Sequence, residues 1–355
     1  MRLLLQWTTI TPILAWVLFF TGLVYDSSIF QIIASVLLIG SVMAAVHHSE
    51  VIAHRVGEPY GTIILAVAIT VIEVSIIISL MVAGGDEAAS LARDTIFSAT
   101  MLILNGIVGL CLFLGGLKFR EQIFTKHSAT IALVSLIAIV ILTLVFPTFT
   151  TSIDGPYYST PQLVFVSIAC ILIYSFFLLA QTSRHREYFL SEGNADDAHA
   201  IVISGKKMAA SLVFLLLSLG IVVLLAKTLS PTIEKIVIGY NLPKTLVGVI
   251  IAAVILLPEG IAAINAARKD KLQTSLNLAL GSALASIGLT IPCVSIVSTL
   301  YDMNIILGLD IKSMILLGLS VFTVMLSLAS GRTNIVYGAV LLVNLAAFIF
   351  LIIYP

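Results

Sequence analysis

Long apolar runs dominate this chain, and they recur with only short polar breaks between them. Eleven such runs are readable, at about 5–24, 29–47, 60–83, 95–117, 128–146, 162–180, 208–228, 244–265, 272–299, 311–329 and 333–353. Each is near the ~20 residues that an α-helix needs to cross the hydrocarbon core. Lipid cannot satisfy exposed backbone N–H and C=O groups, so spans packed this densely along a chain are helices. The longest polar stretch, 181–207, contains RHREYFLSEGNADDAHA and reads as a cytoplasmic connector; no soluble domain fits between the runs.

Composition places the pattern in a class. Of 355 residues, 60% are hydrophobic and only 10% charged, and mean hydropathy is +1.16. A soluble core does not need that much apolar chain, so the expectation is an all-α polytopic membrane protein in a lipid bilayer. Net charge is zero, which gives no reason to expect a nucleic-acid partner. Cys111, Cys170 and Cys293 are far apart in apolar stretches, form no CxxC pair, and read as small packing residues. No small-residue cleavage site follows the first run, so it reads as a span rather than a removed signal.

Lys and Arg set the orientation. With the N-terminus inside, 13 of the 18 fall on the cytoplasmic side. The bias predicts a cytoplasmic N-terminus, an outer C-terminus and an odd number of spans. Alternation then makes the third and eighth spans antiparallel. A leading helix over 1–27, a five-helix repeat over 28–181, the connector over 182–207 and a second five-helix repeat over 208–355 form an inverted repeat. Substrate sites in such folds lie near the membrane midplane, at the repeat interface.

Those two antiparallel spans each carry one lone carboxylate: Glu73 in AVAITVIEVSIIISLMV and Glu259 in GVIIAAVILLPEGIAAI. A charge in hydrocarbon is costly and as a rule functional, so the pair predicts one shared cation site. Thr70, three residues before Glu73, shares its face and offers an oxygen. Pro258 removes a helix hydrogen bond beside Glu259, and irregular backbone there would add carbonyl oxygens suited to a hard cation such as Na⁺ or Ca²⁺. In the ninth span Ser282 and Ser286 are four apart on one face, and Gly281, Ser282, Ala285 and Ser286 predict close helix approach. The fourth span offers Ser98, Thr100 and Asn105. Such hydroxyls equally often bond their own helix or pack a neighbour. Glu50, with His47, His48 and His54, sits at the predicted cytoplasmic end of the second span; the cluster reads as a proton relay or pH sensor, or as an ordinary polar helix end. Asp196, Asp197 and His199 in the connector could attract cations, though such a run is more often a solvated loop.

The stretch SEVIAHRVGEPYGTIILAVAITVIE resembles the first α-repeat of the cation/proton exchangers of the calcium/cation antiporter superfamily: Glu50, Gly57, Gly61 and Glu73 match its acidic and glycine positions. KTLVGVIIAAVILLPEG, ending in Glu259 and Gly260, is similar to the second repeat, and GSALAS at 281–286 to the helix after it. AHRVGEPYG, LNGIVGLCLFLGG, LLPEG and SGRTN look like the bacterial ChaA-type subgroup, and the similarity spans nearly the whole chain. The resemblance implies eleven helices, one plus five plus five, and exchange of Na⁺, Ca²⁺ or K⁺ for H⁺. The chain departs from the family where VIE and LPE replace the usual GNA-x-E, where Lys227 stands near a position that is usually glutamate, and where Gly260 rather than histidine follows Glu259. These departures argue against strict Ca²⁺ preference and fit monovalent exchange.

The expected function is secondary active antiport across the bacterial inner membrane by alternating access. A cation and protons compete at Glu73 and Glu259, with Thr70, Ser282 and Ser286 as further oxygen ligands and Glu50, His47 and His48 as a proton relay or regulator. No cofactor and no catalysed reaction are expected; the partners are inorganic cations and lipid. A passive cation channel is the competing reading and would need a continuous polar path. An intramembrane hydrolase would need a histidine beside a mid-span serine, and every histidine is predicted at or beyond a span end.

Overall fold

The computed structural model describes residues 6–25, 27–56, 60–84, 88–189, 204–243, 245–301 and 303–354. Gly57 and the connector residues Asp196, Asp197 and His199 lie outside them. Eleven apolar helices follow in chain order: α1 Trp7–Phe20, α2 Ser28–Val56, α3 Tyr60–Gly84, α4 Leu91–Phe119, α5 Lys126–Thr148, α6 Thr160–Arg184, α7 Gly205–Gly239, α8 Thr245–Ala267, α9 Leu272–Tyr301, α10 Ile311–Leu328 and α11 Ile335–Ile353. Among the described residues, nine are long and apolar enough to cross a membrane, and the other two are α1 and the apolar stretch Val67–Val82 within α3. The expected count of about eleven holds. Among the described residues no strand forms, and the single bridge joins Ile123 to Arg332.

Two ends differ from expectation. α2 continues to Val56 instead of stopping near 47, and α7 reaches Gly239 instead of 228. Both tails carry polar residues that a hydropathy reading assigns to loops, but the backbone continues because an added helical turn satisfies its own N–H and C=O groups.

The helices pack into two compact units that do not follow chain order. Unit 1 takes Met1–Gly84 with Asp197–Val247, and unit 2 takes Gly85–Asp196 with Gly248–Pro355. In unit 1, α2 packs against α1, α3 and α7, and α7 also meets α1 and α3. Small residues let these helices close: a methyl on Gly40 would stand 3.1 Å from Thr11 Cγ2, and one on Gly220 would stand 3.2 Å from the Trp16 ring. The Trp16 indole donates to the Leu217 carbonyl at 3.0 Å, a bond between α1 and α7.

In unit 2, α9 packs on α4, α5 and α6, and α11 lies along α4. Gly338 of α11 leaves no room for a Cβ against the Phe113 backbone, so the two helix backbones touch there. Amide side chains join the loops at one end of the unit. The buried Gln122 donates from Nε2 to the Ala267 carbonyl at 3.0 Å and to Asp270 Oδ1 at 2.8 Å. Its backbone N–H donates to Thr333 Oγ1, and its carbonyl accepts from the Thr333 N–H, both at 2.9 Å. At the opposite ends of the same helices, the extended segment 303–310 is held by Ile306 N–H to the Ala89 carbonyl at 3.0 Å and Leu309 N–H to the Leu144 carbonyl at 2.8 Å.

Candidate functional site

Glu73 lies on the packed side of α3. Thr70, Glu73, Ile77 and Leu80 are buried along one stripe, while Val67, Val71 and Val82 are exposed on the opposite one. The helix is apolar on every face, and its one carboxylate lies on the buried stripe. Glu73 is 3% exposed and Thr70 4%, which fits the expectation that they share a face. Ser79, a further oxygen on this helix, is half-buried.

Glu259 occupies the equivalent place on α8. Ala252, Ile255, Leu256, Glu259, Ala263 and Ala267 form a buried stripe, and Leu257 and Ile261 are exposed. Glu259 is 6% exposed. The expected irregular backbone is not found: α8 runs unbroken from Thr245 to Ala267 with Pro258 inside it. Proline lacks only its own N–H, so the helix continues and one carbonyl, that of Val254, loses its helical donor. The backbone gain at this site is a single oxygen.

Glycines bring α8 against α4. A methyl on Gly248 would meet the Asp94 carbonyl carbon at 3.0 Å and Asp94 Cβ at 3.1 Å, and one on Gly260 would meet Ile107 Cδ1 at 3.4 Å. The contacts advance together along both helices, so α4 and α8 run side by side in the same direction. That is the direction an eleven-span alternation assigns to the fourth and eighth spans.

The oxygens predicted on α4 separate into three kinds. Thr100 donates to the Ile96 carbonyl of its own helix at 2.8 Å. Asn105 lies in a π-helical turn, Leu102–Ile107, and donates from Nδ2 to Ser320 Oγ of α10 at 2.8 Å. Its Oδ1 is buried with no hydrogen-bond partner among the described residues. The Ser98 hydroxyl is fully buried and also without such a partner. Thr95 and Thr290, absent from the sequence reading, are among the other hydroxyls that share that condition. Thr290 was legible: it continues the four-residue step of Ser282 and Ser286 along α9.

On α9, Ser286 is buried and Ser282 half-buried. The close approach expected at Gly281 is not made there, since a methyl would meet no atom within 4 Å. It is made two turns later, where a methyl on Gly288 would stand 3.1 Å from Tyr174 Cβ of α6. Size alone does not choose which small residue meets a neighbour; the partner helix does.

The histidine cluster also moves. Because α2 extends to Val56, His47, His48 and Glu50 lie within the helix and not at its end. Glu50 is exposed and His47 half-buried, but His48 is 2% exposed. His47 and His48 are thus helical, at the end of the apolar run at 29–47 within one continuous helix.

Comparison with known proteins bears on the family and the fold. The sodium/calcium exchanger protein family matches residues 27–183 and 210–354. The chain is 43% identical to the putative ionic transporter y4hA of Sinorhizobium fredii, over 93% of this chain and 90% of that protein. It is 33% identical to the sodium-potassium/proton antiporter ChaA of Escherichia coli, over 90% of this chain and 87% of that one. Its fold matches that of native YfkE with a TM-score of 0.74 at 19% identity, covering 98% of this chain and 99% of the other. A family match over both long halves of the sequence shows that this chain belongs to the sodium/calcium exchanger protein family.

Proposed function

We propose that this chain is a secondary active antiporter that exchanges Na⁺ and/or Ca²⁺, with K⁺ as a further substrate, for H⁺ across the bacterial inner membrane. The observation that carries the reading is that each of two membrane helices turns a single glutamate to its buried stripe, Glu73 at 3% and Glu259 at 6% exposure. The name of the ChaA relative, a sodium-potassium/proton antiporter, supports this reaction class and a monovalent substrate.

In this reading Glu73 and Glu259 hold a cation and protons in turn. A carboxylate in low dielectric is stable only when neutralised, by a bound cation or by a proton. Two protons on two carboxylates balance one Ca²⁺, and one proton balances one Na⁺. Either load keeps the buried charge near zero while the protein changes its access. The state with neither load keeps two buried carboxylate charges and opposes leak. Thr70, Ser282 and Ser286 supply neutral oxygens, and Glu50 with His47 receives protons at the cytoplasmic side. The N-terminus is cytoplasmic and the C-terminus outside, as the Lys and Arg bias indicates. The cation is the substrate, and no resident cofactor is required.

The test is proton movement in inverted vesicles, read by a pH-sensitive dye, with Na⁺, K⁺ and Ca²⁺ added separately. Antiport predicts dequenching by at least one cation, lost in both Glu73→Gln and Glu259→Gln. Cation flux that persists without a proton gradient and without proton counter-movement would replace the antiporter with a channel.

A further inference from the structure

Unit 1 contains a buried histidine that the exchange reading does not require. α1 carries Pro12. Having no N–H, Pro12 leaves the Thr8 carbonyl, four residues earlier, without its helical donor. In an apolar bundle such a carbonyl needs a partner from elsewhere. His48 of α2 supplies it, with Nε2 3.2 Å from the Thr8 oxygen.

That contact fixes the state of the ring. A carbonyl only accepts, so Nε2 carries the hydrogen, and Nδ1 of the neutral ring is a lone pair. Nδ1 is buried and has no hydrogen-bond partner among the described residues. The ring stacks on Phe214 of α7 with centroids 5.4 Å apart. His48 thus touches α1, α2 and α7 together. The charged and titratable groups around it are few. The helix Trp7–Phe20 has none, α7 has Lys206 and Lys207 two turns before Phe214, and α3 has Glu73. α2 itself has His47, whose ring centroid is 5.5 Å from that of His48, and Glu50, His54 and Arg55 beyond it.

We propose that His48 is a positioning residue: its neutral Nε2–H occupies the carbonyl that Pro12 vacates and pins the leading helix α1 to α2, and a proton arriving at Nδ1 destabilises the pinned arrangement. Protonation would leave the Thr8 bond possible but turn Nδ1 into a buried donor with no acceptor. It would also place a charge among apolar side chains, only partly offset by the face of Phe214. α2 packs on α3, the helix of Glu73, so a change in α1–α2 packing reaches a helix of the exchange site. Only the transport consequence rests on the antiport reading.

The experiment uses the full chain, in detergent for thermal unfolding and in inverted vesicles for exchange, across about pH 8 to 5, where an imidazole changes charge. Gln at position 48 keeps an N–H near the place of Nε2 but cannot titrate, Leu removes the donor, and Ala at position 12 returns the helical N–H to Thr8. The expected results are a wild-type Tm that falls with acid and a His48→Gln Tm within about 2 °C of wild type at pH 8 with a flatter acid limb. His48→Leu is expected to be lower at every pH, and Pro12→Ala to reduce the cost of His48→Leu. The pH profile of exchange should flatten in His48→Gln in parallel. The proposal is overturned if His48→Gln keeps the wild-type acid limb, if Gln and Leu are equally destabilising at pH 8, or if Pro12→Ala leaves the cost of His48→Leu unchanged. Wild-type vesicles that move no protons on cation addition would remove the antiport reading, while the Tm series still decides the pin.

Discussion

α3 and α8 present the same chemical group by different means. α3 flanks Glu73 with Ile72, Val74, Ile76 and Ile77, has no glycine or proline beside the carboxylate, and packs on α2 and α7. α8 carries Pro258 and Gly260 on either side of Glu259, meets the α4 backbone at Gly248, and has its last carbonyl bonded by Gln122. Branched side chains flank the buried Glu73 along its helix. Backbone contact and an amide clamp fix Glu259 at several points along its helix. Two helices with matching buried carboxylates therefore need not be equally rigid, and the comparison predicts that α8 tolerates less change than α3.

The largest effect tests whether the two carboxylates act as equals. Glu73→Gln and Glu259→Gln should each lose cation-driven exchange by more than the ~10- to 100-fold that loss of a supporting contact costs. A variant with near-normal exchange would show that its helix is not a partner. The next effect separates backbone contact from open space. Gly248→Val should lower stability by about 1–3 kcal/mol through overpacking against Asp94, measured by thermal unfolding in detergent. Gly281→Ala, where nothing lies within 4 Å, should be neutral or stabilising by up to ~1 kcal/mol from helix propensity. Equal effects would mean that the Gly248 contact does not hold α8.

A smaller loss is expected from the clamp. Gln122→Ala leaves the Ala267 carbonyl without its side-chain donor and should cost about 1–3 kcal/mol, with exchange at high cation reduced less than in the glutamate variants. The smallest effect serves as a control at the α10 N-terminus. Burial pushes the Asp310 carboxyl up, but bonds from the Ser313 hydroxyl and N–H, with Lys312 nearby, outweigh it and hold the carboxyl below its ordinary 3.8. A depressed carboxyl stabilises the fold above its unfolded value and loses that contribution as pH falls through the folded one. Asp310→Ala should therefore cost about 0.5–2 kcal/mol at pH 7, and the gap to wild type should narrow in acid. A gap that widens in acid would reverse the sign.

Much of this was legible along the chain. Eleven apolar runs became eleven helices because lipid leaves a spanning backbone no other way to satisfy itself. Glu73, Glu259 and Thr70 were identifiable because a lone polar residue in an apolar run must turn inward, and the buried stripes of α3 and α8 place them so. Hydropathy did not mark the ends of α2 and α7, where helices continue into polar sequence, and so it did not show that His48 is helical and buried.

The sequence by itself determined the class, the number of spans and the two buried carboxylates, since each follows from the cost of exposing polar groups to hydrocarbon. Only the tertiary structure decided which helices group together, that Gly288 and not Gly281 makes the close contact, that Pro258 leaves α8 whole, and that the carbonyl freed by Pro12 is met by His48. Those outcomes depend on which atoms a neighbouring helix brings within hydrogen-bond or van der Waals reach. Such contacts join residues tens to hundreds of positions apart, and no local pattern encodes them.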